Sequence, residues 1–193
     1  MRVDSADETV ERARQEGGNL LIGPLDAAPA GRLAVLTDPA GAAICVWEAS
    51  VREGAQLVNE PRTWAMSSLH VNDSQAAAAF YGSVFGWQAE SVGSTQAPLT
   101  LFRLPGYVGG EARQPIPRDV VAVMAPAAGS STDVPPHWNV NFQVVDADAV
   151  AERAAALGGT LVIAPFDTPG FRSAALADQQ GAVFSISQPI ASR

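Results

Sequence analysis

VDSADETVERARQEGGNLLIGPLD at residues 3–26 and VVDADAVAERAAALGGTLVIAPFD at residues 144–167 are two copies of one template. Gly17-Gly18 returns as Gly158-Gly159, Pro24 as Pro165 and Asp26 as Asp167, an offset of 141. After a one-residue deletion, Arg32, Asp38 and Gly41 return as Arg172, Asp178 and Gly181. A repeat of this length means that one supersecondary unit has been reused. In the later copy, residues 139–144 alternate polar and apolar, the period of a half-buried strand. Asp146 or Asp148 offers an N-cap, Val150, Ala154 and Leu157 share one helical face, and Gly158-Gly159 supplies a left-handed stop. Residues 160–164 read as a strand closed by Pro165, 172–177 as a second, 178–181 as a turn and 182–187 as a third. The unit is strand, helix, then three strands. The earlier copy keeps the helix (about 6–16) and the later strands, with no room for the strand before the helix.

Between the copies lies a third unit of the same plan. Residues 64–71 read as a strand, Asp73 or Ser74 caps a helix over 75–85, and Gly86 ends it. Strands follow at 87–91, 99–104 and 120–125. Residues 105–118 form a long loop rich in Gly and Pro, while 49–63 and 125–136 read as connectors.

Composition narrows the function. The 193 residues are 47% hydrophobic and 17% charged, enough for a sizeable core and ordinary for a globular protein. No run of about 18 apolar residues suggests a membrane span, and the charged N-terminus lacks a signal-peptide core, so a cytoplasmic location is expected. A net charge of -8 argues against nucleic-acid binding, which needs clustered cations. The single cysteine, Cys45, excludes an internal disulfide; in its apolar strand it reads as a small core residue. No G-x-S-x-G elbow supports a hydrolase triad, and the glycines at 106, 109 and 110 lack the Lys-Ser/Thr of a phosphate loop.

LHVNDSQAAAAFYGSVFGW at 69–87, the two Gly-Gly stops, and the closing DPAGAAICVW (38–47) and DQQGAVFSIS (178–187) together resemble the vicinal oxygen chelate superfamily. That superfamily includes glyoxalase I, bleomycin-resistance proteins and extradiol dioxygenases. The resemblance covers nearly the whole chain and is closest to bacterial tandem glyoxalase-like proteins. It implies an α+β fold of repeated βαβββ modules, paired so that a curled mixed sheet surrounds a cavity. Against that pattern, residues 1–50 are a partial module lacking its first strand, 51–63 a linker, and 64–193 a complete domain of two modules (64–125 and 137–190). An orphan half-domain has an open sheet edge, so homodimerisation through residues 1–50 is expected, the alternative being a start codon further upstream.

Metal-using members offer one inward ligand from the first strand and another from the last strand of each module. The matching positions here hold Met66, Asn139, Ser185 and Cys45, with Val123 or Met124 nearest the remaining one. Met, Asn and Ser do not make a divalent site of the usual kind, so no metal and no cofactor are expected. His70 shares the parity of Met66 and Ser68; it reads as a polar group at a pocket rim, with a catalytic base as the alternative. His137, beside Pro135-Pro136, reads as exposed. Ser68 and His70, Asn139, Asn141 and Gln143, and Ser185 and Ser187 recur on one strand parity. By the resemblance that parity lines the cavity, and the opposite one (Leu69, Val71, Val140, Phe142, Val144, Phe184, Ile186) packs under the helices. Trp64, Trp138 and Tyr107 would supply aromatic edges, with Tyr107 covering the cavity from the long loop. The expected function is binding of an unidentified small molecule without a catalytic metal. The alternative is a metal-dependent lyase or dioxygenase, reached if the strand register is off by one residue, which flips every side chain.

Overall fold

A computed structural model describes residues 1–94, 97–109, 117–126 and 134–190. The elements run β1 (Arg2–Val3), α1 (Ala6–Gln15), β2 (Asn19–Ala27), β3 (Gly31–Thr37), β4 (Ala43–Ala49), β5 (Trp64–Val71), α2 (Ser74–Phe85), β6 (Gln88–Ser94), β7 (Ala97–Arg103), β8 (Val120–Pro126), β9 (His137–Gln143), α3 (Ala147–Ala156), β10 (Thr160–Thr168), β11 (Phe171–Ala177) and β12 (Val183–Pro189). This is an α+β fold in which strand, helix and three strands recur three times. The strands form two mixed sheets, in the orders β1-β4-β3-β2 and β10-β11-β12-β9-β5-β8-β7-β6. Before α1 stands a two-residue strand, β1, parallel to β4, where none was expected from the sequence. Among the described residues, no helix is long and apolar enough to cross a membrane.

The helix boundaries follow from local chemistry. Ser5, Asp73 and Asp146 are the N-caps, each side chain accepting a backbone N–H three residues on, at 3.3, 2.9 and 3.0 Å. Gly86 adopts φ 71° and closes α2 through its N–H to the Gly82 carbonyl. In each Gly-Gly pair the two glycines do different work. Gly17 and Gly158 take φ 87° and 86°, while a Cβ on Gly18 or Gly159 would lie 2.6 Å from the Thr37 oxygen or 2.8 Å from the Ala177 oxygen.

The chain forms two compact units. One comprises Met1–Gln56, Leu69–Tyr107 and Asp119–Trp138. Its core joins Val10, Ala13, Leu36 and Val46 of the first copy to Leu69, Val71, Phe80, Tyr81, Phe102 and Met124 of the middle one. Gly18 gives α2 its place there, since a Cβ would also come within 3.0 Å of the Phe80 ring. Burying each large side chain contributes roughly 1.5–3 kcal/mol. Met124, considered as a ligand position, is among these core residues.

The other unit comprises Leu57–Ser68, Val108–Arg118 and Asn139–Arg193. Val144, Ala147, Ala151, Ala174, Leu176 and Ile186 form its core, with Val150, Ala154 and Phe184 packed on it. Three expectations change here. Leu157 lies at the C-cap of α3 and is exposed, because the helix ends one residue earlier. Val140 and Phe142 share the parity of Ile186 but are 39% and 38% exposed, since α3 covers β11 and β12 in preference to β9. Pro165 does not close a strand. β10 continues to Thr168, with an irregularity in its pairing to β11 between Ile163 and Phe166, at the sheet edge where a residue lacking N–H is tolerated.

One ion-pair device repeats with the template. Arg32 joins Asp7 of α1 to Asp26 of β2, and Arg172 joins Asp148 of α3 to Asp167 of β10. Each arginine ties the first turn of a helix to the strand hairpin beside it.

Candidate functional site

The ladder of the second unit assigns faces. Ile163 lies opposite Ala175, Ala175 opposite Ser185, and Ser185 opposite Asn141. The next row is Phe166, Ser173, Ser187 and Gln143. Residues directly paired across strands share one face. Ala174, Leu176 and Ile186, on the other parity, pack against α3, so both rows occupy the helix-free face.

That face brings together five residues expected from the sequence: Asn139, Asn141, Gln143, Ser185 and Ser187. Ser187 is buried and its hydroxyl donates to Oδ1 of Asn141 at 2.9 Å. The Gln143 backbone pairs with Arg62 and Thr63, which precede β5. Asn139 is 7% exposed, and its Oδ1 has no hydrogen-bond partner in the structure. Buried polar atoms are nearly always paired, so an orphan acceptor on a polar face is informative. Trp64, Met66 and Ser68 belong to the same unit, half-buried on the β5 parity opposite Leu69 and Val71; the Trp64 indole N–H donates to the Ser67 hydroxyl at 3.1 Å.

The same rows add Ile163, Phe166, Ser173 and Ala175; sequence reasoning had Ile163, Ser173 and Ala175 in strands without assigning their face, and missed Phe166 because it ended the strand at Pro165. Thr168 pairs with Phe171 across Pro169-Gly170, with Gly170 at φ 82°. Pro followed by Gly is the signature of a tight turn with positive φ at its third position, and that signal locates the hairpin.

The remaining expected residues lie in the first unit. Trp138 is on the parity opposite Asn139 and packs against the core, its indole N–H donating to the Tyr81 hydroxyl at 2.8 Å. Its side chain is thereby committed to the aromatic cluster of Tyr81 and Trp87 and does not join the polar face. Tyr107 is 36% exposed in a turn closed by its N–H to the Leu104 carbonyl; residues 110–116 of the loop lie outside the described residues. His70 and His137 stack with centroids 5.0 Å apart and planes at 15°. His137 is therefore half-buried, where exposure was expected, and its Nδ1 donates to the Pro135 carbonyl at 2.8 Å. Burial, then the neighbouring His137, pushes the His70 imidazole below its usual range. Cys45 is exposed, where a core position was expected, because strand alternation gives the buried position to Val46.

The fold family's metal does not fit this chain. The corresponding positions carry the thioether of Met66, the amide of Asn139, the hydroxyl of Ser185 and the thiol of exposed Cys45, which is not a hard, anionic donor set for one divalent ion. Among the described residues, no three His, Cys, Asp or Glu side chains converge. The two histidines stack on one another without a carboxylate completing a set.

Comparison with known proteins gives the same architecture. The glyoxalase-like domain family matches residues 66–187. CFP32 of Mycobacterium tuberculosis, named as a glyoxylase, is 37% identical over 190 residues, 97% of this chain and 67% of its own length. The anthracycline biosynthesis protein DnrV of Streptomyces peucetius is 34% identical over 183 residues, 95% of this chain and 62% of its own. The chain thus spans about two thirds of these relatives. The Mn(II)-bound glyoxalase of Novosphingobium aromaticivorans shares the fold, with a TM-score of 0.63 at 16% identity over 99% of this chain and 62% of that one. The sequence repeat, the recurring strand–helix–three-strand unit and these matches together place the chain in the glyoxalase-like domain family of the vicinal oxygen chelate superfamily.

Proposed function

We propose that this chain binds a small molecule on the helix-free face of β9, β10, β11 and β12, without a catalytic metal. The observation that carries the reading is the division of that face: amides and hydroxyls on β9 and β12, Ala175 and Ser173 on β11, and the 44% exposed Ile163 and Phe166 on β10. Binding sites combine an apolar wall with a few placed polar groups in this way. The name of DnrV supports a polycyclic aromatic ligand, of the kind handled in anthracycline biosynthesis. Buried Ser187, hydrogen-bonded to Asn141, would hold one polar wall in a single arrangement before the ligand arrives.

A metal-dependent lyase or dioxygenase is the second reading, favoured by the glyoxylase name of CFP32. Elemental analysis separates the two. Protein purified without chelator, then loaded with Ni, Zn, Mn or Fe(II) and desalted, is expected to retain none of them stoichiometrically. One tightly held ion per chain would overturn the binding reading and give the enzyme reading first place.

A further inference from the structure

The two rows on the helix-free face contain no Asp, Glu, Arg or His: they read Ile163, Ala175, Ser185, Asn141 and Phe166, Ser173, Ser187, Gln143. A charged group laid on these two rows would lose water and meet no counter-charge from their side chains, which is unfavourable. Asn139, two residues before Asn141 on the same parity of β9, adds a buried Oδ1 that lacks a partner, an acceptor and nothing else. It can be satisfied only by an N–H or O–H.

We propose that the ligand of this face is electrically neutral over the part that lies on it and presents a hydrogen-bond donor, a hydroxyl or N–H, to Oδ1 of Asn139. The proposal rests on the binding reading above and deepens it to a ligand class. It excludes phosphate, carboxylate and sulfonate groups from those two rows. It assigns Asn139, which stands at a metal-ligand position of the superfamily, the role of recognising a neutral donor. Ile163 and Phe166 take the apolar side of the same molecule, opposite the amides.

The test is equilibrium dialysis of the full chain at about pH 6 against three probes of one ring system. These are 2,6-dihydroxyanthraquinone, 2,6-dimethoxyanthraquinone and anthraquinone-2,6-disulfonate. The dihydroxy compound is expected to bind about tenfold or more tighter than the dimethoxy one, the usual scale for leaving a buried acceptor unpaired. The disulfonate is expected to bind weakest. Asn139→Leu should abolish the preference for hydroxyl over methoxy while keeping dimethoxyanthraquinone binding within about threefold. Asn139→Ala serves the same purpose if the leucine variant does not melt cooperatively. Equal binding of the dihydroxy and dimethoxy probes, or a preference that survives both variants, overturns the role of Asn139 while leaving the binding reading intact. Tightest binding of the disulfonate overturns neutrality. Binding of none of the three overturns the polycyclic reading itself, and the inference falls with it.

Discussion

The Tyr81 hydroxyl donates a 3.0 Å hydrogen bond to the Asp38 carboxylate, joining the turn of the first copy to the helix of the middle one within a single unit. Asp38 is 1% exposed, and its other oxygen accepts the Ala42 N–H at 2.9 Å. Trp138 in turn donates to the Tyr81 oxygen. Burial, followed by the Asp38 charge, pushes the Tyr81 phenol far above its usual range, which favours the protonated, donating form.

Tyr81→Phe removes one oxygen and leaves both neighbours short of a partner. The cost of an unsatisfied buried group is about 1–3 kcal/mol, more when it is charged. Urea denaturation should show a loss in that range for Tyr81→Phe. Tyr81→Phe combined with Asp38→Asn should cost less than the two single losses added, because the residues share one network. Additive losses would mean that the bond contributes nothing of its own.

His70 sets a pH dependence whose sign is fixed by its surroundings. Its folded-state affinity for protons is lowered, first by burial and then by His137. The unfolded chain therefore binds more protons just below the ordinary histidine value of 6.5. Stability from this source is fully present above that value and is lost as pH falls from there to the folded-state pKa. Urea midpoints should drop over this window, and His70→Gln should flatten that part of the profile. With only two histidines in the chain, proton NMR titration checks the direction site by site. A His70 resonance titrating above an unfolded-peptide control would contradict it.

How much was legible in the sequence follows from how local each determinant is. The caps Asp73 and Asp146, the stop at Gly86 and the turn glycines are decided within four residues, and they stand where the sequence places them. Faces are decided by partners far along the chain. Strand alternation put Asn139, Asn141 and Gln143 on one side, but the same alternation turns Trp138 away from them, and aromatic character alone could not reveal that. Cys45 sits in an apolar string, yet which of Cys45 and Val46 is buried depends on where α1 lies. Pro165 reads as a terminator unless the turn at Pro169-Gly170 is used to set the register first.

The repeated arginine device predicts an acid response. A hydrogen bond from Arg172, with its charge, holds the Asp148 carboxyl below the usual carboxylate range. Its stabilising contribution is thus present above the unfolded value of 3.8 and disappears as pH falls through the lower folded one. Arg172→Gln should lower the urea midpoint at neutral pH, and the gap to the parent should close under acid. The pair is solvent-accessible, so high salt should narrow the gap as well. A gap that survives both acid and salt would point to lost packing of the arginine stem.

Asn139 gives a last prediction, one that separates a structural asparagine from a recognition atom. If Asn139 served the fold, replacing it should destabilise the protein, as removing the Ser187 hydroxyl from Asn141 should, by about 1 kcal/mol in Ser187→Ala. Its Oδ1 instead stands buried without a partner, a condition that costs the ligand-free protein stability. Asn139→Leu, which keeps the branching at Cγ, should therefore leave the ligand-free melting temperature unchanged or raise it by a few degrees. Stability retained on losing a polar side chain, together with lost discrimination between hydroxyl and methoxy probes, is the combination expected of a group kept for binding at the expense of stability. A clear fall in the Asn139→Leu melting temperature would show that the amide has a structural partner and remove the physical basis for its role in recognition.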